Sequence, residues 1–218
     1  MSKIMCYGED GLTLAAVTQH LGKLLAEIRS QHRDLDEDED ISLEDCLVFY
    51  RPSFGRNGGK KGASFGEFDA IIATKKNVYL IESKRYRSPS RNTTIMVKKN
   101  QVRRHQIFEW IWDNWESGQS WEQFRTDYSD AFRDEFNDKP LANSNRQLAK
   151  NLKQVLDLIY KDGRSIQHIL LAFYHNEQHI PSEGLHKSAK MFRLVPFHFK
   201  KNQIEQVFEV NLDTQQTD

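Results

Sequence analysis

The chain has 218 residues, 38% hydrophobic and 28% charged, which is enough apolar content for the core of one domain in a soluble protein. Its 31 Lys and Arg balance 31 Asp and Glu, so net charge supplies no attraction to a polyanion and only local clusters can. No stretch approaches the roughly 18 apolar residues of a membrane span. The start MSKIMCYGEDG lacks the apolar run of a signal peptide, and Cys6 and Cys46 are too few for a disulfide framework, so the cytoplasm is the expected compartment.

Leu14, Val17, Leu21, Leu24, Leu25 and Ile28 recur at helical spacing and predict one amphipathic helix over residues 10–30. The acidic run DLDEDED at 34–40 then reads as a loop, and residues 46–54 as a first strand stopped near Pro52. A glycine-rich run, RPSFGRNGGKKGASFG, follows with Arg51, Arg56, Lys60 and Lys61.

Residues 68–74 and 78–81 are short runs rich in β-branched and aromatic side chains, and they predict a β-hairpin closed at Lys75-Lys76. In that register Ile72 faces Tyr79, Ala70 faces Ile81, Asp69 faces Glu82 and Glu67 faces Lys84. Strand alternation puts Glu67, Asp69, Glu82 and Lys84 on one side of the ribbon. A three-residue loop that includes Asn77 is the alternative, because Lys-Lys suits a type I′ turn poorly; it makes the acids diagonal neighbours. Phe68, Ile72, Tyr79 and Ile81 are assigned to one face and Ile71, Ala73, Val78 and Leu80 to the other. Burial on both faces implies helical layers above and below the sheet.

From Lys84 to Arg104 the chain carries eight Lys or Arg and no acid. A solvated surface is one reading of such a run; a polyanion site is the other, favoured because basic runs flank the hairpin on both sides. Residues 97–116 and 121–136 read as helices whose aromatic residues suit core packing better than base stacking, although a subunit interface would use the same pattern. A third helix runs through Leu148–Ile159 spacing, with Asn143 or Ser144 as N-cap and Gly163 as stop. Strands at 166–175, 191–199 and 203–212 close the fold, and the tail DTQQTD is expected to fray. His175 and His179 would suit zinc only on a helix, and a loop is expected there.

Opposed Cβ atoms on a hairpin lie about 5 Å apart, where two carboxylates repel unless a cation sits between them. Mg²⁺ takes oxygen ligands and keeps several waters, so one or two carboxylates suffice. Asp69 and Glu82 are those candidates, with a backbone carbonyl near Ser83 as a third oxygen and Lys84 beside a bound phosphate.

Asp69, the twelve residues that follow it, and Glu82-Ser83-Lys84 resemble the PD-(D/E)xK nuclease superfamily, and Gly66-Glu67-Phe68-Asp69 resembles the GEID-type variant of some branches. Phe68 stands where proline is common. The resemblance implies an α/β fold with a restriction-endonuclease-like αβββαβ core, a mixed sheet flanked by helices. It treats 1–218 as a single nuclease-like domain, with 117–162 as a helical insertion before the strand near 169–175. It implies Mg²⁺ (Mn²⁺ as an alternative), catalytic Asp69, Glu82, Lys84 and Gln101, and a first-helix glutamate ligand, Glu9 ahead of Glu27. Arg56, Lys60, Lys61, Arg85, Lys98 and Arg104 would contact nucleic acid, DNA ahead of RNA, with a second copy of the chain as a further partner. The expected function is a Mg²⁺-dependent DNA endonuclease or structure-selective resolving enzyme. The rivals are an inactive nucleic-acid-binding module of the same fold and a protein-interaction domain that uses helices 105–136.

Overall fold

The computed structural model describes residues 3–32, 42–55, 62–86, 95–161, 163–176, 178, 180–181, 190–199 and 207–211. Arg56, Lys60, Lys61, His179 and the tail lie outside them.

The central sheet has five strands in the order β2 (Leu47–Tyr50), β5 (Ala70–Ala73), β6 (Asn77–Arg85), β7 (Ser165–Tyr174) and β8 (Arg193–His198). The first three run antiparallel, and β6, β7 and β8 run parallel. Parallel neighbours need a helical crossover, and α3 (Lys99–Asp113), α4 (Trp121–Glu135) and α5 (Gln147–Ile159) supply it between β6 and β7. The last two occupy the interval 117–162.

Side chains on the two sheet faces enter separate cores. Ile71, Ala73, Val78 and Leu80 pack with Phe108, Ile111, Trp112, Trp115, Phe124 and Leu152 of the α3–α5 layer. Ala70, Ile72, Tyr79, Ile81, Ile169 and Phe173 pack with Leu12, Ala16, Leu24 and Ile28 from α1 (Gly8–Val17) and α2 (Leu21–Gln31). The molecule is therefore a mixed α/β sheet between helical layers. The aromatic residues 108–136 are largely core: Trp115 lies 5.3 Å from Phe124, and Trp110 sits edge-on to Phe132 at 5.3 Å.

Several expectations need correction. The single helix over 10–30 is two, because residues 18–20 form a turn in which the His20 amide reaches back to the Ala15 carbonyl. Leu14 consequently stays only half-buried, while Leu12, Ala16 and Val17 face the core. The first strand is cut by Arg51, whose φ is 51°, so β2 ends at Tyr50 and a two-residue β3 (Ser53–Phe54) follows. The third helix starts after Arg146 rather than at Asn143 or Ser144. Two outer strands, β1 (Lys3–Tyr7) and β9 (Val207–Asn211), pair antiparallel; β1 was not anticipated.

The hairpin register is the two-residue-loop one: Ala73 pairs with Val78, Ile72 with Tyr79 and Ala70 with Ile81. Thr74 compensates for the poor turn, since its Oγ1 accepts the Asn77 amide at 3.1 Å while the Thr74 amide donates to the Asn77 carbonyl at 2.8 Å. Below Ala70 the ribbon departs from the expected alternation. Gly66 and Glu67 form β4 and pair with β3 instead, Glu67 opposite Ser53 rather than Lys84. Phe68 is displaced to the α3 face, packing with Ile71 rather than Ile72. One irregular step between Phe68 and Ala70 therefore re-aims Asp69.

Candidate functional site

At the carboxyl end of β6 a small group of charged side chains converges from four elements. Ser83, in the middle of the Glu82-Ser83-Lys84 tripeptide, points to the α1 face, where its hydroxyl meets that of Thr13 at 2.8 Å. Thr13 also donates to the Glu9 carbonyl at 2.9 Å, so this contact ties the start of α1 to β6. Glu9 then accepts the Arg85 amide on Oε2 at 2.7 Å, and its Oε1 lies 3.7 Å from Lys84 Nζ. The Thr13 and Ser83 hydroxyls were not singled out from the sequence, where Ser83 counted only for its backbone carbonyl, because a lone hydroxyl carries no spacing signal.

Asp69 reaches across the strand gap: its Oδ2 accepts the Ser83 amide at 2.7 Å. Burial, and after it the charge of Glu82, push the Asp69 carboxyl up to about 7 against the opposing pull of the Ser83 amide, Lys84 and Arg104. Glu82 is almost completely buried. Its Oε1 accepts from Lys84 Nζ at 2.7 Å and from the Gln101 amide, and its Oε2 accepts from Arg104 Nη2. Lys84 Nζ also donates to the Ser83 carbonyl at 2.6 Å. Burial alone would lower the Lys84 pKa, but Glu82, by charge and hydrogen bond, and then Glu9 and Asp69 hold it above the usual lysine range.

The structure thus brings together Asp69, Glu82, Lys84, Gln101, Arg104 and Glu9. It separates Glu27, which belongs to α2, a helix packed on β8 two strands away from β6. Arg104 turns inward onto Glu82 and is largely buried. Arg85 lies with its guanidinium carbon 5.9 Å from the Phe199 ring centroid, and Lys98 is exposed at the N-cap of α3. Arg103 donates to the Phe136 carbonyl. Glu67 leaves the group and accepts from Arg51, Nε at 2.7 Å, while Arg51 Nη1 donates to Asp10 at 2.7 Å. This Arg51 bridge joins α1 to β4. It was not foreseen, because it depends on the left-handed backbone at Arg51.

Asp69, Glu82, the Ser83 carbonyl and Glu9 are the oxygens that could hold a divalent cation. Among the described residues no three His, Cys, Asp or Glu side chains form a metal cluster by themselves. Here, however, the Lys84 ammonium already gathers Glu82 Oε1 and the Ser83 carbonyl within 2.7 Å, with Glu9 beyond them, and stands where a hard cation would find oxygen ligands. Burial first and the Glu82 charge second raise the Asp69 pKa, and a cation between the two carboxylates would oppose both. Elsewhere, among the described residues, no helix is long and apolar enough to cross a membrane. No protein-family model, curated protein or solved structure matches this chain.

Proposed function

We propose that this chain is a Mg²⁺-dependent nuclease with a restriction-endonuclease-like core, cutting DNA as an endonuclease or structure-selective resolving enzyme. One observation carries the reading: Asp69, Glu82, the Ser83 carbonyl, Glu9 and Lys84 meet at one sheet end, with Gln101 of α3 against them. The order α1/α2, β2, β5, β6, α3, β7 supports the αβββαβ core.

Asp69, Glu82 Oε1 and the Ser83 carbonyl would hold the cation, with Glu9 completing the rim. Bound there, it would supply Lewis-acid stabilisation of charge at the phosphorus. Lys84, released from Glu82 and Ser83 but still drawn by Glu9, orients the attacking water and offsets charge developing on the phosphoryl oxygens. Gln101 fixes Glu82 by its amide, and its own Oε1 accepts the Lys98 amide at 2.8 Å, so the first turn of α3 and the Glu82 carboxylate move as one unit. Exposed Lys98 at that helix start suits a neighbouring phosphate.

The inactive binding module is the second reading, favoured by the lack of a three-acid cluster among the described residues. Supercoiled plasmid and a four-way junction, each incubated with Mg²⁺ or EDTA, separate the two. Wild type should cut with Mg²⁺ alone, and Asp69→Ala and Lys84→Ala should not. Salt-dependent binding without turnover would favour the module, and undiminished cutting by both variants would remove the site assignment.

A further inference from the structure

Two side-chain cations face Glu82, and the fold treats them differently. Lys84 reaches Glu82 Oε1 and the Ser83 carbonyl on a flexible stem, with 20% of its side chain exposed, so its ammonium can swing clear. Arg104 cannot. Its guanidinium donates to Glu82 Oε2 and its central carbon lies 5.2 Å from the centroid of the Phe68 ring. It runs past Gly66, where a Cβ would stand 3.2 Å from Nη1 and 3.3 Å from Cδ. With φ at +113°, Gly66 both adopts a backbone that residues with a Cβ rarely take and leaves the channel that Arg104 occupies. Arg104 Nε is buried with no hydrogen-bond partner among the described residues, so Glu82 and packing hold this side chain.

Resting on the nuclease reading, we propose that Arg104 is a built-in second cation that limits the site to one divalent ion. Two-ion phosphodiesterases set their metals about 3.5–4 Å apart and clamp the reacting oxygens between them. A shared carboxylate would have to offer an oxygen to each ion, and here Glu82 Oε2 is committed to the guanidinium that Phe68 and Gly66 hold in place. On Glu82 and Ser83, Lys84 can vacate its places at Oε1 and the carbonyl while the Gln101 amide stays on Oε1 and Arg104 keeps Oε2. A second ion would meet both an occupied oxygen and a fixed positive charge. Arg104 is a positioning residue in this scheme: it acts through Glu82, aiming Oε1 at the single cation.

Titration of the full chain with Mn²⁺, with free ion read by electron paramagnetic resonance, tests this by counting ions. Wild type should take one Mn²⁺ per chain. Arg104→Gln keeps an amide donor and drops the charge, and should take two. Arg104→Lys keeps a cation and should take one. Two ions in wild type or in Arg104→Lys, or one in an Arg104→Gln variant that melts cooperatively, overturns the proposal. If Arg104→Gln does not fold, the wild-type and Arg104→Lys counts decide. Asp69→Asn separates this failure from that of the underlying reading: it should bind far less Mn²⁺ than wild type. If the two bind equally, or if wild type binds none, the metal site itself is wrong.

Discussion

Replacing Asp69 by asparagine should make the metal-free protein more stable in mild alkali, although it removes the residue most central to the proposed site. In the folded chain burial, followed by the charge of Glu82, holds this carboxyl near 7 against an ordinary 3.8. Between those values the folded state binds more protons than the unfolded state, so stability falls as pH rises through the window and the whole cost is present above about pH 7. At about 1.4 kcal/mol per pH unit the ceiling is about 4 kcal/mol. Asparagine avoids that cost, and its amide oxygen can still accept the Ser83 amide that now donates to Oδ2 at 2.7 Å. A gain of about 2–4 kcal/mol at pH 8 corresponds to a rise in Tm of roughly 5–10 °C for a chain this size. At pH 5 most of the cost is absent and the gain should fall below about 2 kcal/mol. Melts followed by circular dichroism in EDTA at both pH values measure it. Equal gains at pH 5 and pH 8, or a less stable variant at pH 8, would refute the reasoning.

Three further outcomes follow from other parts of the fold. Gly66→Ala forces a Cβ onto a residue with φ +113° and to within 3.2 Å of Arg104 Nη1, so denaturant titration should show a loss of about 2 kcal/mol or more; a neutral result contradicts the packing around Arg104. His105 is fully buried, and burial, then His168 and Arg104, hold it well below the ordinary histidine value, so it stays neutral when folded but takes a proton when unfolded. Stability should therefore fall as pH drops below about 6.5, and melts of His105→Gln should show a shallower acid limb than wild type. Phe124→Ala should cost about 3–5 kcal/mol by urea titration without changing the pH dependence, since Phe124 packs in the α3–α5 core with Trp115 and Trp121 and touches nothing at the site.

Where the chain announces itself locally, the sequence was readable. The two-residue Lys75-Lys76 turn sets the hairpin register, which keeps Ile71 and Leu80 on one buried face and Ile72 and Tyr79 on the other. That register brings Asp69, Glu82 and Lys84 to one place, whereas Gln101 entered only through the superfamily resemblance. What was hidden depends on partners distant in sequence or on backbone that no pattern marks. The break at residues 18–20 has neither proline nor glycine to mark it. β1 is a short apolar run whose partner, β9, lies at the other end of the chain. The departure at Phe68 arises because β4 pairs with β3 rather than continuing the hairpin, which also sends Glu67 to Arg51 instead of Lys84. Arg104 was readable as a basic residue on the correct helix face, but its inward course depends on the space that Gly66 leaves.

The most direct test of the central claim is the initial rate at which a 5′-labelled DNA is cut in Mg²⁺ by wild type and by Asp69→Asn at matched concentration. The account predicts cleavage by wild type that stops in EDTA, and a rate at least about a hundredfold lower for the variant despite its higher melting temperature. Equal rates for the two proteins, or cleavage that continues in EDTA, would contradict it.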